Sequence, residues 1–131
     1  MGVDRQIIYW MELAEYDLDT AKAMLSTERF LYVGFMCHQA VEKALKGYYV
    51  YSTKEIPAFT HRLSYLTEKT GLEVELSTSQ KDLIDELEPL NIEARYPTYK
   101  ERLLKSLTKE HCATIITKTR ELIVWIKNKM Q

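Results

Sequence analysis

Residues 30–51 read FLYVGFMCHQAVEKALKGYYVY, and no other segment is as informative about the fold. Its small and apolar side chains recur every three or four residues, which is the period of a helix with a buried face. A second apolar flank, formed by Leu31, Phe35, Leu45 and Tyr49, encloses His38 and Glu42. Because a helix with two apolar flanks is buried on more than one side, we expect it at the centre of the fold. The buried stripe is predicted to contain Val33, Cys37, Ala40, Val41, Ala44, Tyr48 and Tyr51.

Most of the remaining chain has the same helical period, and it contains only four Gly and three Pro. We predict an all-α fold, an antiparallel up-and-down bundle of about five helices, in a single domain over residues 1–131. The segment that ends with Pro97 is predicted to break the fourth helix, and a polar stretch follows to about Leu107. Thr108 should cap the last helix and Gly71 should end the third. The first three predicted helices run from about Asp4 to Leu25, from about Arg29 to Tyr51 and from about His61 to Lys69. The fourth and the last begin at about Ser79 and Lys109.

Composition narrows the possible functions. The chain has 131 residues, of which 46% are hydrophobic, and its 18 basic and 19 acidic side chains give a net charge of -1. A near-neutral charge is not typical of a protein that binds long nucleic acid through bulk charge. The sequence shows neither a signal peptide nor an apolar run of the ~20 residues that a membrane span needs, so we expect a soluble, cytoplasmic protein.

Two cysteines, Cys37 and Cys112, fall on apolar helical stripes. Free cysteine in such a position behaves as a small hydrophobic residue, so we predict two reduced core thiols and no disulfide. The spacing of Cys and His indicates no zinc site. We therefore expect neither a metal nor a cofactor.

His38 and Glu42 are four residues apart, which places them on one helix face with Cβ atoms roughly 5–6 Å apart. Glu42 could orient the imidazole for proton transfer or for anion binding. The same two residues could instead form a buried structural pair, or a pair at a subunit interface. Lys43 and Lys46, on a more polar side, either extend a basic patch or are solvated.

Two further segments are candidates for binding a phosphate or a base. His61 and Arg62 open the predicted third helix, where free backbone N–H groups attract anions; alternatively His61 packs and Arg62 is solvated. Arg95 could contact a phosphate while Tyr96 stacks on a base. In the other interpretation Arg95 forms a buried salt bridge, for instance with Glu42, and the tyrosines are core residues. The candidate ligand-binding residues are thus His38, Glu42, Lys43, His61, Arg95 and Tyr96.

Several of these segments resemble the HEPN family. The resemblance is carried by HQAVEKALK at residues 38–46, by THRL at residues 60–63 and by ARYP at residues 94–97, in the family's order. It extends from about Glu12 to Leu122, and the first helix contributes Ala14, Asp17, Leu18 and Ala21. The resemblance implies a helical domain that forms homodimers, associates with nucleotides or RNA, and partners a minimal nucleotidyltransferase in toxin–antitoxin-like pairs.

Many members of the wider superfamily are metal-independent ribonucleases that use an Arg followed, after four to six residues, by a His. The chain departs from this pattern, because no Arg and His in it have that spacing. We therefore expect a non-catalytic nucleotide- or RNA-associated dimer that partners a nucleotidyltransferase. Two alternatives are a ribonuclease toxin with a rearranged Arg/His site and a purely structural dimer.

Overall fold

The computed structural model describes residues 2–93 and 96–131, with the backbone alone at residues 92, 93 and 97. It confirms the all-α prediction, since every regular element in these residues is helical. No helix among them is long and apolar enough to cross a membrane. The elements are α1 (Val3–Ser26), α2 (Phe30–Thr53), α3 (Leu63–Thr70), a 3₁₀ turn (Leu72–Glu75), α4 (Thr78–Leu87), α5 (Leu90–Glu93), α6 (Pro97–Ser106) and α7 (Lys109–Asn128).

The second helix is central, as its two apolar flanks predicted. It forms a hairpin with α1 and also packs against α3, α7 and the shorter helices. Gly47 lies where α1 comes close to α2, because an added Cβ there would be 3.1 Å from the sulfur of Met11. Of the predicted α2 stripe, the first five residues are fully buried, and Tyr48 and Tyr51 are half-buried.

The last helix has the apolar stripe that its sequence predicted. All seven residues of that stripe are buried: Cys112, Ile115, Ile116, Thr119, Leu122, Ile123 and Ile126. Both cysteines are free thiols. Burial raises the pKa of Cys37 to about 12 and that of Cys112 to about 11, so neither is a reactive thiolate at neutral pH.

The sequence predicts no helix in the polar stretch after Pro97, and this prediction is wrong, because these residues form the helix α6. Proline lacks only a backbone N–H that the first helical residue does not use, so Pro97 starts this helix instead of preventing one. Tyr96 before it is extended, as predicted. Leu103 and Leu107, four residues apart, are buried and anchor the otherwise polar helix to the core.

The ends of the helices show which caps the sequence identified. Thr108 caps α7, with its side chain accepting a hydrogen bond from the backbone N–H of His111, and Gly71 ends α3 in the left-handed conformation. The first helix begins at Val3, one residue before its predicted start at Asp4. The third helix begins at Leu63 instead of His61, which leaves His61 and Arg62 in the preceding loop.

Candidate functional site

The side chains of His38, Lys46 and His61 surround the buried carboxylate of Glu42, and we call these four residues the Glu42 cluster. One carboxylate oxygen, Oε2, lies 3.0 Å from Nζ of Lys46, and the other, Oε1, lies 3.0 Å from Nδ1 of His61. Nδ1 of His38 is 3.9 Å from Oε1, which is too long for a hydrogen bond. Glu42 is 2% exposed and His38 is fully buried, so neither can contact a ligand while the bundle is closed.

The imidazole of His38 is held in the interior. Its Nδ1 lies 3.4 Å from the amide nitrogen of Gln39, which donates to the side chain of Asn91 at 2.9 Å. Nε2 has no hydrogen-bond partner of normal geometry among residues 2–93 and 96–131. Burial lowers the pKa of His38, while the carboxylates of Glu42 and Glu88 act in the opposite direction. His38 is therefore neutral at neutral pH.

His61 is the exposed member of the cluster, with 59% of its side chain accessible. Glu42 engages Nδ1, and Nε2 has no partner within the described part of the chain. A carboxylate that fixes one ring nitrogen sets the tautomer and orientation of the other. Nε2 of His61 thus has a fixed orientation at the protein surface, and the Glu42 carboxylate that fixes it is buried.

A cavity of about 860 Å³ lies beside His61, between the loop before α3 and the end of α4. We call it the α3–α4 cavity. Residues 59–62 form one wall, and Ile84, Asp85 and Glu88 belong to the other. Asn91 also lines it, and because Asn91 bonds to Gln39 the cavity is linked to the surroundings of His38.

The predicted anion site at the start of α3 is already occupied by a side chain of the protein. The carboxylate of Glu88 accepts hydrogen bonds from the backbone N–H of Leu63 at 2.7 Å and from that of Ser64 at 3.1 Å. The Ser64 hydroxyl donates to the same carboxylate at 2.8 Å. A carboxylate at this position satisfies the free N–H groups and complements the helix dipole. An external anion would have to bind through side chains instead.

Lys43 has contacts other than those of the Glu42 cluster. The ARYP segment lies only partly within the described residues. Nζ of Lys43 is 3.0 Å from the carboxylate of Asp17 and 3.2 Å from the amide oxygen of Gln39, so its charge is paired within the protein. Tyr96 is 54% exposed. Arg95 falls outside the described residues, and its predicted contacts with Glu42 or with a ligand remain sequence-based predictions.

Sequence reasoning found the His38–Glu42 pair but not all of its surroundings. Lys46 could have been paired with Glu42 from their four-residue spacing alone. The role of Glu88 has no such signal, because it reaches α3 from a distant part of the chain. No group of three or more side chains suited to holding a metal ion occurs within the described ranges.

Comparison with known proteins identifies the family. A sequence model of the HEPN domain matches residues 7–129, which is nearly the whole chain. The protein belongs to the HEPN family. It is therefore a helical module of a family associated with nucleotides and RNA.

A solved structure shows the same fold. The crystal structure of TT1696 from Thermus thermophilus is similar to this chain, with a TM-score of 0.79 and 19% sequence identity. The similarity covers 95% of this chain and 98% of TT1696, and at this identity it supports the fold alone. No curated protein matches the sequence.

Proposed function

We propose that this HEPN protein is a non-catalytic, homodimeric module that binds a nucleotide or an RNA end and partners a minimal nucleotidyltransferase in a toxin–antitoxin-like pair. One observation carries the binding part of this proposal. His61, oriented by the buried Glu42 at 3.0 Å, lies next to Arg62 at the edge of the α3–α4 cavity. In its protonated form the oriented imidazole donates Nε2–H outward, and beside a guanidinium it is suited to hold a phosphate group.

Arg62 is available for such a contact. Its side chain is exposed and makes no hydrogen bond or ion pair to any described residue. The backbone N–H of Arg62 bonds to the Thr60 hydroxyl at 3.1 Å, which fixes the start of the side chain. Tyr96 and, by sequence, Arg95 would extend the surface for a longer ligand.

The non-catalytic part of the proposal rests on burial and on spacing. His38 and Glu42 are almost fully buried, and His38 is held neutral by its surroundings. The Arg and His spacing of the family's ribonucleases is absent from the sequence. The buried carboxylate of Glu42 thus fixes His61, and this contact joins α2 to the loop before α3.

An exposed apolar patch on α1 and α2 supports the dimer. Met24, Tyr32, Phe35 and Met36 line a shallow cavity of about 510 Å³ there, which we call the α1–α2 patch. Tyr32 is 50% exposed. Aromatic and methionine side chains grouped on a surface are typical of protein interfaces, so we place the homodimer contact at this patch.

The test of the proposed function is a titration of the purified protein with ATP, GTP and a short single-stranded RNA in the absence of added metal. RNA integrity is followed in the same samples. We expect the protein to bind at least one of these ligands without cleaving the RNA. We expect His61→Asn to weaken that binding. If the parent protein binds none of the three ligands, the nucleotide-binding proposal is wrong, and a protein partner becomes the remaining function.

A metal-independent ribonuclease is the second candidate, and one observation favours it. A histidine whose Nδ1 bonds to a carboxylate can use Nε2 as a general base, as the dyad of Glu42 and His61 would. Cleavage of the RNA in the titration, lost in His61→Asn and retained in a Lys43→Ala control, would favour this candidate over the non-catalytic module.

A further inference from the structure

Three side chains of different chemistry surround the α3–α4 cavity without any partner among the described residues. Phe59 is fully exposed, so its ring contributes nothing to the stability of the fold through burial. Arg62 and Asp85 are both exposed, and each lacks an ion pair or side-chain hydrogen bond within the described ranges. All three residues line the same cavity. An aromatic face, a cation and an anion are therefore present together and unused.

These three groups match three features that one nucleotide presents together: the face of its base, the edge of its base and its phosphate. An aromatic ring stacks on a base, and a guanidinium pairs with a phosphate. A carboxylate only accepts hydrogen bonds, so it recognises a base edge that presents two neighbouring donors. Guanine presents N1–H and the N2 amino group side by side on its Watson–Crick edge. Adenine presents an acceptor, N1, in the corresponding position, and that acceptor would face the carboxylate unfavourably.

We propose that the α3–α4 cavity binds a single guanine nucleotide, with the base on Phe59, the guanine edge on Asp85 and the phosphate on Arg62 and His61. This proposal rests on the proposed function, because it assumes nucleotide binding at that site. It adds the identity of the base and the residue that selects it.

The described lining of the cavity includes the guanidinium of Arg62 and the carboxylates of Asp85 and Glu88. Glu88 also lines the cavity, but its carboxylate is used by three donors at the start of α3. Asp85 is then the carboxylate left for the ligand, and it lies near the end of α4. The volume of about 860 Å³ lies within the range of small-ligand sites, roughly 300–1,000 Å³, which suits one nucleotide better than a duplex.

The experiment is a calorimetric titration of the full chain with GMP, AMP, UMP and inorganic phosphate. We expect GMP to bind about tenfold or more tightly than AMP, since a bidentate pair to a base edge gives discrimination of this order. Asp85→Asn should remove or reverse the preference, because an amide can donate to adenine N1. Phe59→Ala should weaken GMP and AMP together by about tenfold through loss of stacking.

Two matched variants on α7 serve as controls. Val124→Ala removes an exposed apolar side chain, and Glu121→Gln neutralises an exposed carboxylate, both away from the cavity. Neither should change the affinity for GMP. Thermal unfolding of each variant verifies that it is folded.

The outcomes separate this inference from the proposed function. Equal affinity for GMP and AMP, or a guanine preference that persists in Asp85→Asn, would overturn the guanine assignment while leaving nucleotide binding intact. A protein that binds none of the nucleotides would overturn both.

Discussion

Glu42 is the residue on which the local structure of the site depends. Its two carboxylate oxygens pair with Lys46 and His61, and it is almost completely buried. Removing one partner of a buried ion pair leaves the other charge without compensation, which is more costly than losing an exposed pair. Glu42 therefore connects the stability of α2 with the orientation of His61 at the surface.

The first prediction is that Glu42→Ala destabilises the protein by about 3 kcal/mol, because Lys46 is then buried without its counter-ion. Chemical denaturation measures the change in the free energy of unfolding. Asp19→Ala is the control, since Asp19 forms only an exposed pair with Lys22 and should change stability by less than about 1 kcal/mol. Equal stability of Glu42→Ala and the parent would show that the cluster is not a structural support.

A second prediction concerns pH. Burial lowers the pKa of folded His38 below the usual 6.5, against Glu42, Glu88 and the backbone of His61, which raise it. Between the lowered pKa of His38 in the folded protein and its usual value of 6.5 in the unfolded chain, the unfolded chain binds more protons than the folded one. Stability therefore increases with pH in this range and levels off above about 6.5. The melting temperature should fall as pH decreases from about 7.5 to about 5.5.

His38→Gln tests whether this one residue causes the dependence. The substitution removes the titrating ring, so the melting temperature of the variant should fall less over the same pH range. An identical pH dependence in the variant and the parent would show that His38 does not cause the effect.

At the scale of elements, the start of α3 shows how a site can be closed by the protein itself. The sequence predicted that backbone N–H groups there would attract an anion, but it could not identify Glu88 as the group that binds them. The contact joins α3 to the residue after α4. It depends on tertiary packing that no local pattern encodes.

The third prediction follows from this contact. Glu88→Ala should destabilise the protein by about 1–2 kcal/mol, the usual effect of removing a helix cap. Asp82→Ala on α4 is the control, because Asp82 is exposed and forms no described ion pair. The free energies of unfolding of the two variants are compared. Equal values would mean that Glu88 does not stabilise α3.

Helix periodicity predicted the long elements well and the short ones less well. The buried faces of α2 and α7 follow directly from the spacing of their apolar residues. The prediction failed at α6, because only Leu103 and Leu107 mark its buried face and Pro97 was interpreted as the end of helical structure. The position of a proline within its element decides whether it stops or starts a helix.

At the scale of the whole molecule, sequence reasoning supplied the family and part of the site. His38, Glu42 and His61 were singled out by residue type and spacing, and the structure brings them together. Phe59 and Asp85 were not identified, because an exposed phenylalanine in a loop and one acid on an amphipathic helix have no distinctive pattern. Their shared cavity becomes visible only when α3 and α4 are packed.

The fourth prediction concerns the proposed dimer. Tyr32→Asp would bury a charge in the α1–α2 patch if that patch is the interface, so the variant should be monomeric. Sedimentation equilibrium measures the mass of the parent and of the variant. Val124→Asp on α7 is the matched control and should remain dimeric. A parent protein that is monomeric, or a dimer unaffected by Tyr32→Asp, would contradict this assignment.

The central claim is that side chains at the α3–α4 cavity bind a nucleotide phosphate. The most direct measurement is the affinity of the parent and of Arg62→Ala for GTP, with Arg120→Ala on α7 as a control for the loss of one exposed positive charge. We expect Arg62→Ala to weaken binding about tenfold or more, with unchanged thermal stability, and Arg120→Ala to bind as the parent does. Equal affinity of Arg62→Ala and the parent would contradict the claim.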